Sequence, residues 1–416
     1  MRAEPKIVSF GCRLNAYESE VMRDHALAAD SDQLVIVNTC AVTGEAERQA
    51  RQAIRKLRRQ HPAARIVVTG CAAQLDPGKY AAMPEVDQVI GNAEKMRVES
   101  YTHPSDERIV VTDIMTLRET ADHLVGGFDG RVRAFVEIQQ GCDHRCTFCI
   151  IPFARGPNRS VPIGRIVEQI KLLRANGFVE LVLTGVDIAS YGSDLPGRPG
   201  LGQMVRRLLT LCPDLPRLRL SSLDPMAFDD ELLQVLADEP RLMPHIHLSI
   251  QAGSDMILKR MKRRHSRADL RVLVDKLRLI RPDLALGADF ITGFPTESEA
   301  MFEDSMSLVD ELALSHLHVF PYSSRPGTPA ARMPQLAPSV VRERAQRLRD
   351  KGQTAMNRFL ASRIGKEAKV LLENEGFGHC EHYLPVRVEC GRAVGEIITT
   401  RISGVAGGQL ISGQNP

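Results

Sequence analysis

The chain opens on short apolar runs separated by longer amphipathic ones. Residues 7–10, 34–37 and 66–69 are apolar, largely β-branched and of strand length, and the stretches over 16–28 and 44–60 carry helical periodicity. Strand–helix–strand alternation predicts a parallel sheet. The pattern continues to about residue 122, and the segment 125–130 (VGGFDG), with three Gly, reads as a linker. From residue 132 the alternation resumes on a larger scale. Strands are predicted over 134–138, 181–183, 218–220, 245–250, 285–291 and 317–320, with room between neighbours for crossover helices such as 166–176 and 269–281. Six βα units fall short of a closed eight-stranded barrel, so an open, six-stranded partial barrel is expected. An Arg-rich helix over 339–364 leads away from it. Short Gly-rich strands over 368–372, 386–389, 394–401 and 409–411 then predict a small β-barrel of OB-like size. The expected class is α/β: an N-terminal parallel domain over 1–124, a partial barrel over 131–364 and a small β-barrel over 365–416.

Composition narrows the function classes. Of 416 residues, 43% are hydrophobic and 25% charged, which excludes a disordered or collagen-like chain. No apolar run approaches the roughly 18 residues of a membrane span. Residues 1–6 lead into a strand without a signal-like apolar region, so a cytoplasmic protein with no membrane partner is expected. The net charge is only +3, but 43 of the 54 basic residues are Arg, the better fork for phosphate. Basic residues crowd Lys259–Arg267 and one face of the helix over 44–60; solvated faces and phosphate contacts both fit. The tail from Gly365 has five Lys and Arg against six Asp and Glu, a poor match to an RNA-binding barrel that works by charge.

The cysteines carry the chemistry. Cys142, Cys146 and Cys149 (GCDHRCTFC) lie within eight residues, directly after a predicted strand. Three thiolates there would wrap one metal centre and leave a ligand position open. A zinc site would need a fourth ligand, for which His144 is the nearby candidate. Cys12, Cys40 and Cys71 each follow an apolar strand and are separated by 28 and 31 residues. In a parallel sheet the strand ends share one edge, so these thiols too can converge. Three packed core thiols remain the plain alternative. Cys212, Cys380 and Cys390 match neither set and are expected to be structural.

Cys-x3-Cys-x2-Cys with Phe148 before the last Cys resembles the signature of the radical S-adenosylmethionine enzymes. The combination with the second triad resembles the methylthiotransferase family. The resemblance runs through GCRLN (11–15), NTCAVT (38–43), Gly70-Cys71, LTGVDIASYG (183–192), LSIQAGSDMILKRMKR (248–263), DFITGFPTES (289–298) and PYSSRPGTPA (321–330). The tail resembles a TRAM domain, and the GCRLN form resembles the branch acting on N6-threonylcarbamoyladenosine beside the tRNA anticodon. Other branches act on isopentenyladenosine in tRNA or on a ribosomal-protein aspartate. A non-catalytic, zinc-stabilised RNA-binding protein is the alternative of another class.

The resemblance implies two 4Fe–4S clusters, on Cys142, Cys146 and Cys149 and on Cys12, Cys40 and Cys71, with S-adenosylmethionine chelated by the open iron of the first. It implies that the reduced first cluster cleaves the sulfonium, that the resulting radical abstracts hydrogen from carbon 2 of the adenine, and that the second cluster presents a methylated sulfur. The partners implied are the anticodon stem-loop of tRNA and a one-electron donor such as a flavodoxin or ferredoxin. No catalytic residue is assigned beyond the cluster ligands. Phe148, Gly185, Ser249, Gln251, Asp289, Gly293, Pro295 and Tyr322 lie by the cluster loop or towards strand C-terminal ends and are expected to line the cofactor pocket. Thr184-Gly185-Val186-Asp187 stands where many relatives carry Gly-Gly-Glu, so the holder of the methionine amino group is open. Arg155 and Arg159, after the cluster loop, are expected to meet the substrate. So is Arg13, suited to pair with the carboxylate of a threonylcarbamoyl group.

Overall fold

The structure, a computed structural model, describes all residues except 1–3, 30–32, 104, 121–122, 129, 390 and 414–416. Five strands form the first sheet, all parallel and in sequence order: β1 (Lys6–Ser9), β2 (Leu34–Thr39), β3 (Arg65–Gly70), β4 (Gln88–Ile90) and β5 (Ile109–Val110). All six residues of β2 are buried, as a central strand covered on both faces requires. The helix Gly44–Gln60 buries Ala50, Ile54 and Leu57, one stripe at helical spacing, and Thr43 caps its start by accepting from Ala46 N–H at 3.1 Å. β4 and β5 are too short for periodicity to reveal.

The second layer is two sheets. β6 (Arg133–Gln140) pairs in parallel with β8 (Glu180–Gly185) and antiparallel with the two-residue β7 (Arg159–Ser160), and β9 (Arg217–Leu220) follows β8. β10 (His245–Gln251), β11 (Ala285–Thr292) and β12 (His316–Pro321) form a parallel trio. Parallel bridges at Leu218–Leu242 and Leu223–Leu248 join the sheets, giving the open barrel β6-β8-β9-β10-β11-β12. The long helix, Pro338–Ala361, packs over β12, with Gly352 against Leu317. The glycine-rich segment before β6 is not a free linker. Val125 and Phe128 are buried in the barrel's core, and Gln169 both donates to and accepts from the Val125 backbone at 2.7 Å.

The tail closes as a barrel in the order β13 (Glu367–Asn374), β14 (Phe377–Cys380), β15 (Pro385–Arg387), β17 (Gln409–Ser412) and β16 (Ile397–Ala406). β14, a Gly- and His-containing run, carries no strand signal in the sequence. This barrel is bolted to the base of the larger one. Arg217 donates to Lys369 O at 2.7 Å, Arg219 to Cys380 O and Glu381 O at 2.9 Å, and Arg133 pairs with Glu373 at 2.6 Å. Glu180, buried among Arg133, Arg217 and Arg219, completes the set. These residues sit at the N-terminal ends of β6, β8 and β9, so the tail forms the floor of the partial barrel. Cys212 and Cys380 are buried in apolar cores, as expected, whereas Cys390 lies outside the described residues.

Candidate active site

β1, β2 and β3 deliver Cys12, Cys40 and Cys71 to one sheet edge. Cys12 precedes the helix Arg13–Ala28, and Cys71 opens a short helix after β3. Both follow glycines at φ +96°. A Cβ on Gly11 would stand 2.7 Å from Cys40 Sγ, and one on Gly70 would stand 2.3 Å from Thr39 O, so only glycine lets the strand ends close on each other. Asn15 ties them together, donating to Phe10 O at 2.7 Å and Thr39 O at 3.1 Å. Burial pushes the Cys40 thiol up to about 12, and the adjacent Cys71 and Cys12 thiols push the same way.

Cys142 follows β6 in a loop that closes tightly: a Cβ on Gly141 would lie 1.8 Å from Pro157 O. Cys142 N–H donates to Gly156 O at 3.0 Å and Cys149 N–H to Cys146 O at 3.1 Å. Burial holds Cys142 and Cys149 at about 12. Cys149 also feels Cys71 of the other triad, so the two sites are electrostatic neighbours across the junction of the layers. Asp187 lies 3.9 Å from Cys142 Sγ, with His144 at 3.2 Å and the Ser190 hydroxyl donating at 2.6 Å. Burial raises its carboxyl, but the His144 and Ser190 contacts prevail and keep it below its ordinary range. His144 is thus engaged with Asp187. Arg263 approaches Cys146 Sγ at 3.8 Å and is anchored on Asp224 at 2.9 Å.

Neither cysteine triad is closed to the spacing of a single ion. Sulfurs around one tetrahedral zinc stand about 3.8 Å apart. Among the described residues, the groups whose donor atoms all close to within 4.8 Å of one another include neither triad. Desolvation raises the Cys12, Cys40, Cys142 and Cys149 thiols, so their ligation calls for a strongly charged centre that deprotonates them.

Arg155 and Arg159, expected to meet the substrate, are buried and engaged within the protein, and both also line a cavity of about 390 Å³ beside Glu137 and Gln140. Arg155 is 2% exposed at the end of the helix Ile151–Arg155, just past the cluster loop. Its Nε–H donates to Cys71 Sγ at 3.0 Å, and its terminal nitrogens reach Asn15 at 2.5 Å and Glu18 on both oxygens. Glu18 also holds the fully buried Lys95 at 2.7 Å. Burial opposes charge on Glu18, but Arg155 and Lys95 win and bring its carboxyl down to about 2. Arg159 is buried as well, donating to Pro157 O and Arg155 O. Arg13 is half-buried and makes no ion pair among the described residues.

A cavity of about 250 Å³ opens between the layers, walled by Val42 and Thr43 on one side and by Cys149, Ile150 and Phe320 on the other. Of the residues expected in the cofactor pocket, Phe148, Gln251, Asp289 and Tyr322 line this cavity. Gly185, Ser249, Gly293 and Pro295 do not. A Cβ on Gly185 would meet Gln139 O at 2.7 Å, so glycine there permits close approach of β8 to β6. Ser249 O accepts from Arg263 at 2.7 Å. Gly293, at φ +71°, turns the chain against Val341, and Pro295 is buried in the same turn. Arg325 crosses the seam to Glu47, and Gly44 N–H donates to Ser323 at 3.0 Å, so the strand ends of the barrel hold the first sheet in place.

An open parallel barrel with three cysteines in the loop after its first strand defines a radical S-adenosylmethionine enzyme, and residues 136–309 match the Radical SAM superfamily. Residues 5–91 match Uncharacterized protein family UPF0004. The chain belongs to the family of threonylcarbamoyladenosine tRNA methylthiotransferases of the MtaB type. It is 52% identical to the MtaB of Rickettsia prowazekii over 97% of this chain and 96% of that one, and 35% identical to the Aquifex aeolicus MtaB over 95% and 98%. It is also 37% identical to the tRNA-2-methylthio-N(6)-dimethylallyladenosine synthase of Novosphingobium aromaticivorans, over 90% and 88%. Among solved structures, the radical S-adenosylmethionine methyltransferase TsrM of Kitasatospora setae shares the fold at TM-score 0.56 and 15% identity, over 80% of this chain and 77% of its own.

Proposed function

We propose that this chain adds a methylthio group to carbon 2 of N6-threonylcarbamoyladenosine in tRNA, with S-adenosylmethionine and two 4Fe–4S clusters as cofactors. The observation that carries it is the pair of cysteine triads, one after the strands of each layer and near enough for Cys71 to act electrostatically on Cys149, in a chain half identical to an MtaB enzyme. Cys142, Cys146 and Cys149 would hold one cluster, and Cys12, Cys40 and Cys71 the other. When bound, the cofactors supply one-electron cleavage chemistry and the sulfur and methyl that are transferred.

The protein's part is positional. Arg155 and the Val42 N–H, 3.5 Å from Cys40, donate to sulfurs of the second triad, and Arg263 approaches one of the first. Asp187 offers an oriented carboxylate beside Cys142 for the methionine ammonium. Phe148, Gln251, Asp289 and Tyr322 shape the cofactor pocket, while Val42, Ile150, Ile291 and Phe320 keep water out. Arg145, Lys262 and Arg264 rim a depression at Cys146, and there an acidic one-electron donor of the flavodoxin or ferredoxin type would dock. The enzyme works in the cytoplasm, where its tRNA is.

The test is to incubate anaerobically reconstituted, reduced enzyme with tRNA carrying threonylcarbamoyladenosine or isopentenyladenosine and digest it to nucleosides. Mass spectrometry is expected to show the methylthio product from the first. Product from isopentenyladenosine alone would favour the reading carried by the Novosphingobium relative.

A further inference from the structure

Histidines and one carboxylate cluster next to the cavity on β10, β11 and β12. His247 Nε2 and His318 Nδ1 converge on a single oxygen, Asp289 Oδ1, at 3.0 and 3.2 Å, with the rings 4.3 Å apart. Gly287 makes room for this: a Cβ there would stand 2.4 Å from His247 Nδ1. The cluster adjoins the cavity, because Asp289 lines it and Phe320, two residues beyond His318, is on its wall. His247 is buried, but the His318 side chain is 57% exposed, and its Nε2 has no protein partner among the described residues.

Two strand positions nearer the base, His245 and His316 pack edge to face at 4.7 Å, and His245 stacks on Tyr383 of the small barrel. Burial keeps both of these imidazoles neutral, His316 at about 3.

We propose that His318, oriented by Asp289 and backed by His247, is the subsite for the threonyl carboxylate of the substrate base. This rests on the threonylcarbamoyladenosine reading and supplies the contact that selects it. Asp289 Oδ1 fixes the ring from its Nδ1 side and leaves His318 Nε2 as an open position at the end of the layer, which a proton taken up together with the substrate turns into an N–H donor. A substrate carboxylate completes it by a charge-assisted hydrogen bond. An isopentenyl group would desolvate the same groups and leave them unpaired, which selects against it.

The experiment uses the full-length, cluster-reconstituted enzyme and anticodon stem-loops carrying threonylcarbamoyladenosine, its carboxamide analogue or isopentenyladenosine. Affinity is read by fluorescence anisotropy, and KM and kcat by product formation. A charge-assisted contact predicts that the wild type binds the carboxylate form about 10–100-fold more tightly than the carboxamide. His318→Phe is expected to erase that preference and raise KM for the carboxylate form to the carboxamide's value. His318→Gln, which keeps size and polarity, is read the same way should the Phe variant fail to fold. Retention of the preference in these variants, or its absence in the wild type, overturns the proposal. So does stoichiometric zinc or another non-iron metal in the wild type that His318→Phe loses, since these three donors would then be a metal site. Wild-type turnover of the isopentenyl stem-loop alone overturns the underlying reading as well, whereas turnover of the threonylcarbamoyl form with an unaffected His318 variant overturns only the subsite.

Discussion

Replacing Arg155 with Met keeps an unbranched stem and removes the guanidinium and its charge. The guanidinium joins the cluster loop to the first sheet through Cys71 at 3.0 Å, Asn15 at 2.5 Å and Glu18. Breaking a buried ion pair costs about 3–5 kcal/mol, because the abandoned charge stays buried. Here Lys95 at 2.7 Å and Gln140 at 3.1 Å still hold Glu18, so the lower end, about 3 kcal/mol, applies. That is a fraction of the roughly 5–15 kcal/mol of a typical fold, so the variant remains folded with a lower Tm. The thiolate at Cys71 loses its donor, and the second cluster is expected to lose iron and shift in potential. The assay is anaerobic reconstitution followed by iron count, EPR-monitored reduction of each cluster, 5′-deoxyadenosine formation and methylthio product. Iron falling towards one cluster per chain, with cofactor cleavage retained and product lost, is the expected pattern. Affinity for tRNA stays within about twofold, since Arg155 is buried. Full iron, unchanged Tm and wild-type product formation would refute the reasoning, as would a selective loss of tRNA binding.

Gly11→Ala places a methyl 2.7 Å from Cys40 Sγ at φ +96° and is expected to halve the iron bound, read by metal analysis, while S-adenosylmethionine cleavage persists. Truncation before Gly365 strips partners from the buried Arg133, Arg217 and Arg219, and calorimetry should show a loss of about 3 kcal/mol or more or outright aggregation. Glu180 is pushed up by burial, but its three arginines prevail and hold it at about 2 against an ordinary 4.5. With a lowered folded pKa, its stabilisation is present above about pH 4.5 and is lost as pH falls towards 2. A Glu180→Gln variant should therefore show a shallower fall in Tm across that window.

The order of elements and both cysteine triads were legible because they depend on local patterns. β-branched runs at crossover spacing mark parallel strands, and a thiol one to three residues past such a run must lie at the sheet's C-terminal edge. The glycines before Cys12 and Cys71 were legible as motifs, but their φ of +96° and the close approach they permit were not. Short strands such as β4, β5, β7 and β14 escaped because two to four residues carry no period. The segment 125–130 reads as a linker by composition, yet Val125 and Phe128 supply apolar surface that the barrel buries.

Sequence alone determined the class of the protein: parallel α/β architecture, an open barrel, two three-thiolate sites and the family they define. Tertiary structure decided what each charge does. Arg155 and Arg159 sit after the cluster loop and look free in sequence, but a charge's partner is set by residues far along the chain, and Glu18 is 137 positions from Arg155. The small barrel reads as a separable appendage until Arg133, Arg217 and Arg219 are seen to end in its backbone and side chains. His247, Asp289 and His318 have no common motif, and only the register of β10, β11 and β12 brings them to one point. Periodicity records which face of an element is buried; it holds no record of which distant element buries it, and that pairing places the charges of this site.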